Sequence, residues 1–163
     1  MSSATLKLAS VIVLAALLAT PSRAMAGKQV PFKGDWAGQT VSATPTDDPN
    51  VVAVVTAGEG NATHLGNYSM VSPHFSHLDT GAVDGLQIFE AANGDTVTAE
   101  FTGQFTPTPD GLLAGVIDAT IIGGTGRFKG ATGSYTFYIL FDFVTFESVA
   151  YFDGTISSPG KGK

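Results

Sequence analysis

No cysteine occurs anywhere in the 163 residues. A disulfide framework, a thiolate metal site and a lipidated N-terminal cysteine are all excluded. Basic residues are scarce: 8 Lys and Arg stand against 14 Asp and Glu, for a net charge of -6. Nucleic-acid binding needs a basic stripe and anionic membranes attract a polybasic segment; the sequence has neither. The acidic balance speaks for solubility. Catalytic signatures are missing as well. There is no Gly-x-Ser-x-Gly, no Walker loop and no His-Glu-x-x-His, and no cofactor motif. The glycines from Gly123 to Gly126 lack the Lys-Ser/Thr and the helical pattern of a phosphate loop.

The N-terminus carries Lys7, an apolar run from Leu8 to Ala19 broken only by Ser10, and then Pro21-Ser22-Arg23-Ala24-Met25-Ala26. Short basic region, apolar run and small-x-small triplet together make a secretory signal peptide, with cleavage expected before Gly27. The run is too short for a membrane anchor, which takes about 20 residues. The expected organisation is a signal peptide at 1–26, one domain at 27–156 and a flexible Gly/Ser/Lys/Pro tail at 157–163. The mature protein has no membrane span and would be periplasmic or secreted.

Beyond Ala26 no stretch repeats its apolar residues at helical spacing. Strand signals recur instead, separated by turn residues, as in a sandwich or barrel. Eight strands are expected, near 32–44, 51–57, 65–74, 86–91, 96–105, 112–122, 134–141 and 146–156, with a Gly-rich link at 58–64 and a long loop through Asp79-Thr80-Gly81. In the fifth, Val97, Ala99, Phe101, Gly103 and Phe105 alternate with Thr96, Thr98, Glu100, Thr102 and Gln104. That period of two gives one face to a core and the other to water.

Asn93-Gly94 joins the fourth and fifth strands, and this pair favours a two-residue type I′ turn. In that register Glu90 faces Val97, Ile88 faces Ala99 and Leu86 faces Phe101, which puts Glu90 on the apolar face and Gln87 with Glu100 on the polar one. A slip of one residue would exchange the faces. In the seventh strand Tyr135, Phe137, Ile139 and Phe141 point one way, and Tyr138 and Leu140 the other. One face can line a barrel; the second asks for other cover, such as a neighbouring subunit.

The most distinctive segment is Gly123-Gly124-Thr125-Gly126-Arg127-Phe128, continuing Lys129-Gly130-Ala131-Thr132-Gly133. Glycine supplies backbone angles that other residues resist, so a tight crossing is expected, anchored by Arg127 and Phe128. The stretch resembles the Gly-Gly-Thr-Gly-basic-Phe segment of the dirigent and allene oxide cyclase-like barrels, including secreted bacterial members. Gly60 to Gly66, Ala91 to Asp95 and Phe152 to Ile156 fit the same pattern. The resemblance implies an all-β, eight-stranded antiparallel barrel with a hydrophobic lumen, often trimeric among plant members. It also implies work on small hydrophobic molecules, either binding or steering of cyclisation and coupling. It carries over no catalytic residue.

Three positions stand out as candidate lumen groups. Glu90, on the expected apolar face, would suit an acid, a base or an anchor for a ligand hydroxyl; the alternative is a rim position that reaches water or a structural pair with Arg127. Asp118, among Ala114, Val116, Thr120 and Ile122, raises the same question. His64, in Asn61-Ala62-Thr63-His64-Leu65-Gly66, is either a general base at a barrel mouth or part of a strand-entry structure in which side chains bond the backbone. His74-x-x-His77, with Asp79 and Asp84, has the look of a metal site but no third ligand on a rigid support, so no metal is expected. The reading is an exported barrel that binds or scaffolds a small hydrophobic molecule. The alternatives are a cyclase, isomerase or dirigent-type guide, and a structural surface protein.

Overall fold

The computed structural model describes residues 27–160; the signal peptide assigned to 1–26 and the last three positions lie outside the described residues. Eight antiparallel strands follow one another: β1 (Gln29–Pro45), β2 (Val51–Ala62), β3 (Gly66–His77), β4 (Ala82–Ala91), β5 (Thr96–Pro107), β6 (Leu113–Gly124), β7 (Gly133–Phe141) and β8 (Glu147–Ser157). Each pairs with the next, and β1 pairs with β8 to close the barrel. The only helical piece among the described residues is a 3₁₀ turn, Gly126–Phe128, between β6 and β7. No helix among them is long and apolar enough to cross a membrane.

The strands run longer than their apolar cores suggest. The stretch expected as a link at 58–64 continues β2 to Ala62. Gly58 and Gly60 stay in the ladder because a Cβ there would strike the backbone of β1, at Ala37 and Asp35 respectively. Glycine here marks a close approach of two strands, not a break. The long loop expected around Asp79 shrinks to four residues, with Ala82 already in β4.

The hairpin at Asn93-Gly94 differs from the two-residue turn. Ala91 N–H bonds Asp95 O at 2.9 Å, and Gly94 N–H bonds Ala91 O at 2.8 Å. Only Gly94 has a positive φ, at 82°. This is a three-residue loop whose last position is left-handed, locked by Asn93, whose Nδ2 donates to Asp95 Oδ2 and whose Oδ1 accepts from Asp95 N–H. Register therefore moves by one: Phe89 faces Val97, Gln87 faces Ala99 and Glu90 faces Thr96. The two faces of β4 exchange, so Gln87 and Phe89 point inward, and Leu86, Ile88 and Glu90 point outward.

Alternation in β5 and β7 sorts as expected: Val97, Ala99, Phe101, Tyr135 and Phe137 are buried, while Tyr138 and Leu140 are exposed. Outside, Tyr138 stacks on Tyr151 of β8 at 4.8 Å, beside Leu140, Val149 and Val116. The C-terminal segment is tied as far as Gly160. Ser158 N–H bonds Lys28 O, and Gly160 N–H bonds Arg127 O, at 2.7 and 2.8 Å.

Candidate functional site

The two ends of the barrel are built differently. At the end carrying the β2–β3, β4–β5 and β6–β7 connections, aromatic rings fill the lumen. Phe32 packs against Phe152, Tyr135 and Phe89 with centroids 5.0, 5.5 and 6.0 Å apart, and Tyr68 meets Phe89 at 5.3 Å. The glycine-rich crossing completes this floor. Phe128, 1% exposed, is its plug. Arg127 stays at the rim, its backbone N–H on Asp95 Oδ2 at 3.3 Å and its guanidinium 3.7 Å from the same carboxylate. Asp95, not Glu90, is the acid that Arg127 meets.

At the other end the rings line the wall instead of filling the lumen, and a cavity of about 620 Å³ opens between the β1–β2, β3–β4, β5–β6 and β7–β8 turns. Such a volume falls within the range of about 300–1,000 Å³ typical of small-molecule sites. Its walls are Trp36, Met70, Phe101, Ile117, Phe137 and Ile139, with Phe105, Phe141, Phe143 and Phe146 nearer the mouth. Phe141, Phe143 and Phe146 form an aromatic lip with centroids 5.1 to 6.5 Å apart. Phe146 holds a positive φ of 60°, a conformation that bulky residues rarely adopt. Asp142 holds the lip turn: its Oδ1 accepts from Val144 N–H at 2.7 Å, and its backbone O from Phe146 N–H at 2.8 Å.

A few polar groups face this apolar space. Gln87, Ser72 and Ser148 are all at least 96% buried and border the cavity. Tyr135 OH donates to Gln87 Oε1 at 2.6 Å. Burial raises the Tyr135 pKa well above its usual value, with the neighbouring Tyr68 adding to it. Tyr68 is raised the same way, by burial and then by Asp35, whose backbone O accepts its hydroxyl at 2.6 Å. Both phenols are thus neutral donors. His74 borders the cavity beside Phe101, at 6.0 Å between ring centres. Burial lowers its pKa, outweighing the Ser72 carbonyl at 3.0 Å and the charge of Asp84.

The residues singled out from sequence lie elsewhere. Glu90 is exposed on the outer wall, beside an open depression that also holds Glu59. Asp118 is exposed too, accepting a hydrogen bond from Thr136 Oγ1 at 2.9 Å. Its neighbours Ala119 and Ile117 are the inward ones. His64 is exposed with φ 67°, in the turn at the plugged end. There it is Thr63 that bonds the backbone, accepting from Lys33 N–H at 2.9 Å and donating to Pro31 O at 3.0 Å. His77 pairs with Asp84 at 2.9 Å rather than with His74. No group of three His, Cys, Asp or Glu side chains able to hold a metal occurs among the described residues.

The architecture is a closed antiparallel barrel with one plugged end and one open, apolar chamber. No family model matches the sequence and no curated protein does so. Solved structures that share the fold include the pterocarpan synthase dirigent protein GePTS1, with TM-score 0.55 and 15% identity over 86% of this chain and 91% of that one. A second, the pterocarpan synthase dirigent protein PsPTS1, gives TM-score 0.52 and 15% identity over 83% and 97%. The chain has the dirigent-type barrel fold that its glycine-rich segment resembles.

Proposed function

We propose that the mature chain is an exported carrier that holds one small hydrophobic molecule in the open half of its lumen. The observation that carries this reading is the chamber itself. Its walls are apolar, its floor is sealed by packed rings, and among the described residues it opens at the mouth ringed by the lip. A barrel that needed only stability would fill both halves with side chains, as eight-stranded barrels are able to do. The export signal in the sequence supports delivery of this chamber outside the cytoplasm.

The single tryptophan provides the assay. Trp36 is 2% exposed, borders the chamber and lies 6.1 Å from Phe137. Titration with the neutral dye N-phenyl-1-naphthylamine should give saturable, one-to-one binding and quench Trp36. Ser148→Trp, which fills the chamber from β8, should abolish the binding. Native mass spectrometry of the protein from its source should show a bound small molecule. No saturable dye binding, together with a bare mass, would refute the carrier reading.

A second reading is favoured by the fold likeness to two pterocarpan synthase dirigent proteins: the chamber guides the conformation of a reactive guest. Confinement needs few polar groups, and the chamber has few. Glu90 has no part in it from the outer wall, so Glu90→Gln should leave any such turnover unchanged.

A further inference from the structure

Two side-chain polar atoms among the described residues are sealed from solvent and lack a hydrogen-bond partner: Trp36 Nε1 and Arg127 Nε. Gln87 Nε2 and His74 Nε2 are in a different condition. Neither is bonded to any described residue, yet neither is sealed. Gln87 is only 2% exposed, and both residues border the chamber. The chamber is therefore the space to which these two nitrogens are open.

Their hydrogen-bonding roles are fixed by what lies behind them. The Ser72 carbonyl can only accept, so His74 Nδ1 carries the proton toward it and a neutral ring keeps its lone pair on Nε2. Gln87 spends its carbonyl on the Tyr135 hydroxyl, which leaves its NH₂ as a donor. The two stand on adjacent strands. Val71 pairs with Ile88 and His74 with Gly85, so Gln87 sits diagonally from His74. Diagonal neighbours in a sheet are about 7–8 Å apart, within reach of long side chains. Gly85 makes the site possible: a Cβ there would lie 2.5 Å from that of His74.

We infer that His74 and Gln87 clamp the polar head of an otherwise hydrophobic ligand bearing a hydroxyl, which donates to His74 Nε2 while its oxygen accepts from the Gln87 amide. The inference rests on the carrier reading and narrows it from any apolar guest to a hydroxylated one. It also gives the site a pH dependence. Protonation turns Nε2 from acceptor into donor. The titratable groups around His74 are Asp84 on β4, His77 on its own strand and bonded to Asp84, and Asp79 in the loop at the chamber mouth. β2 places Val54 opposite His74, and β5 contributes the Phe101 ring.

The test is displacement of N-phenyl-1-naphthylamine by naphthalene and by 2-naphthol. Without a polar partner in the chamber, naphthol, the better hydrated of the two, should be the weaker competitor. With the clamp, it should compete at concentrations about tenfold lower at pH 7.5, the worth of one to two net hydrogen bonds. His74→Phe, which keeps a ring beside Phe101, should erase the preference. So should acidification of the wild-type protein, a measurement that needs no variant to fold. Equal competition by the two compounds, or a preference that persists both in His74→Phe and at acid pH, overturns the clamp and leaves the carrier intact. Failure of the dye to bind at all overturns both.

Discussion

The Tyr135–Gln87 hydrogen bond joins the floor of the barrel to its chamber, and its removal should behave asymmetrically. Tyr135 is 3% exposed and does not border the chamber, so its hydroxyl has no water to turn to if Gln87 is lost. Gln87→Leu should cost about 1–3 kcal/mol, the penalty of a buried polar group left without a partner. Tyr135→Phe leaves the Gln87 carbonyl instead, beside a chamber that water can enter. It should cost roughly 0.5–1.5 kcal/mol, the net value of one hydrogen bond. In the double variant both groups are gone and only packing changes remain, so its cost should fall below that of Gln87→Leu alone. Urea unfolding monitored by circular dichroism reads the cycle. With a slope of about 1–3 kcal/mol/M, a loss of 2 kcal/mol moves the midpoint by roughly 1 M. If the two single costs add to the double within about 0.5 kcal/mol, the pair is uncoupled. The assignment of the Gln87 amide to the chamber then fails with it.

Gly126 has φ 54°, and a Cβ there would run into the Asp95 carboxylate; Gly126→Ala should destabilise by about 1–3 kcal/mol, through strain and a displaced Asp95, and a melting temperature equal to wild type would contradict the plugged-end geometry. His74 titrates lower folded than its ordinary 6.5. The unfolded chain then binds the extra proton, so stability is complete above pH 6.5, declines as pH falls below it and levels off under the folded value; urea midpoints at pH 7.5, 6.5 and 5.5 should show this slope, and His74→Phe should lack it. Glu90→Gln, on the outer wall, should alter stability by no more than about 0.5 kcal/mol and leave dye affinity untouched; a clear loss of affinity would return Glu90 to the lumen.

The fold was legible because the barrel's physics is local. Alternation in β5 and β7 and turn residues between apolar runs each mark a strand without reference to the rest. The crossing glycines with Phe128 were readable for the same reason, since a positive φ and a buried ring are properties of a few consecutive residues. The chamber was not legible, because it depends on one residue of register. In β4 both rows hold apolar residues: Leu86 and Ile88 on one side, Val83 and Phe89 on the other. Hydrophobicity leaves the choice to the hairpin. Reading Asn93-Gly94 as a two-residue turn sent Gln87 outside and Glu90 inside. Asp95, able to bond Asn93 from both its backbone and its carboxylate, was the available cue for the longer loop. His74 was visible as a residue but was paired with His77 by spacing, whereas the sheet gives the two different partners. Asp118 failed differently: both rows of its strand carry apolar residues, and the inward row is Gly115, Ile117, Ala119 and Ile121, while Val116 and Ile122 face out beside Asp118.

A chamber with a stopped bottom has only one route for traffic. Whatever occupies it must leave by the way it came, past the three phenylalanines of the lip. The nitrogens of Gln87 and His74 stand below that lip, so a guest held by its hydroxyl goes in head first and trails its greasy end toward the doorway. Side chains at the lip would then set how quickly one guest replaces another, while the two nitrogens beneath them choose which guest stays.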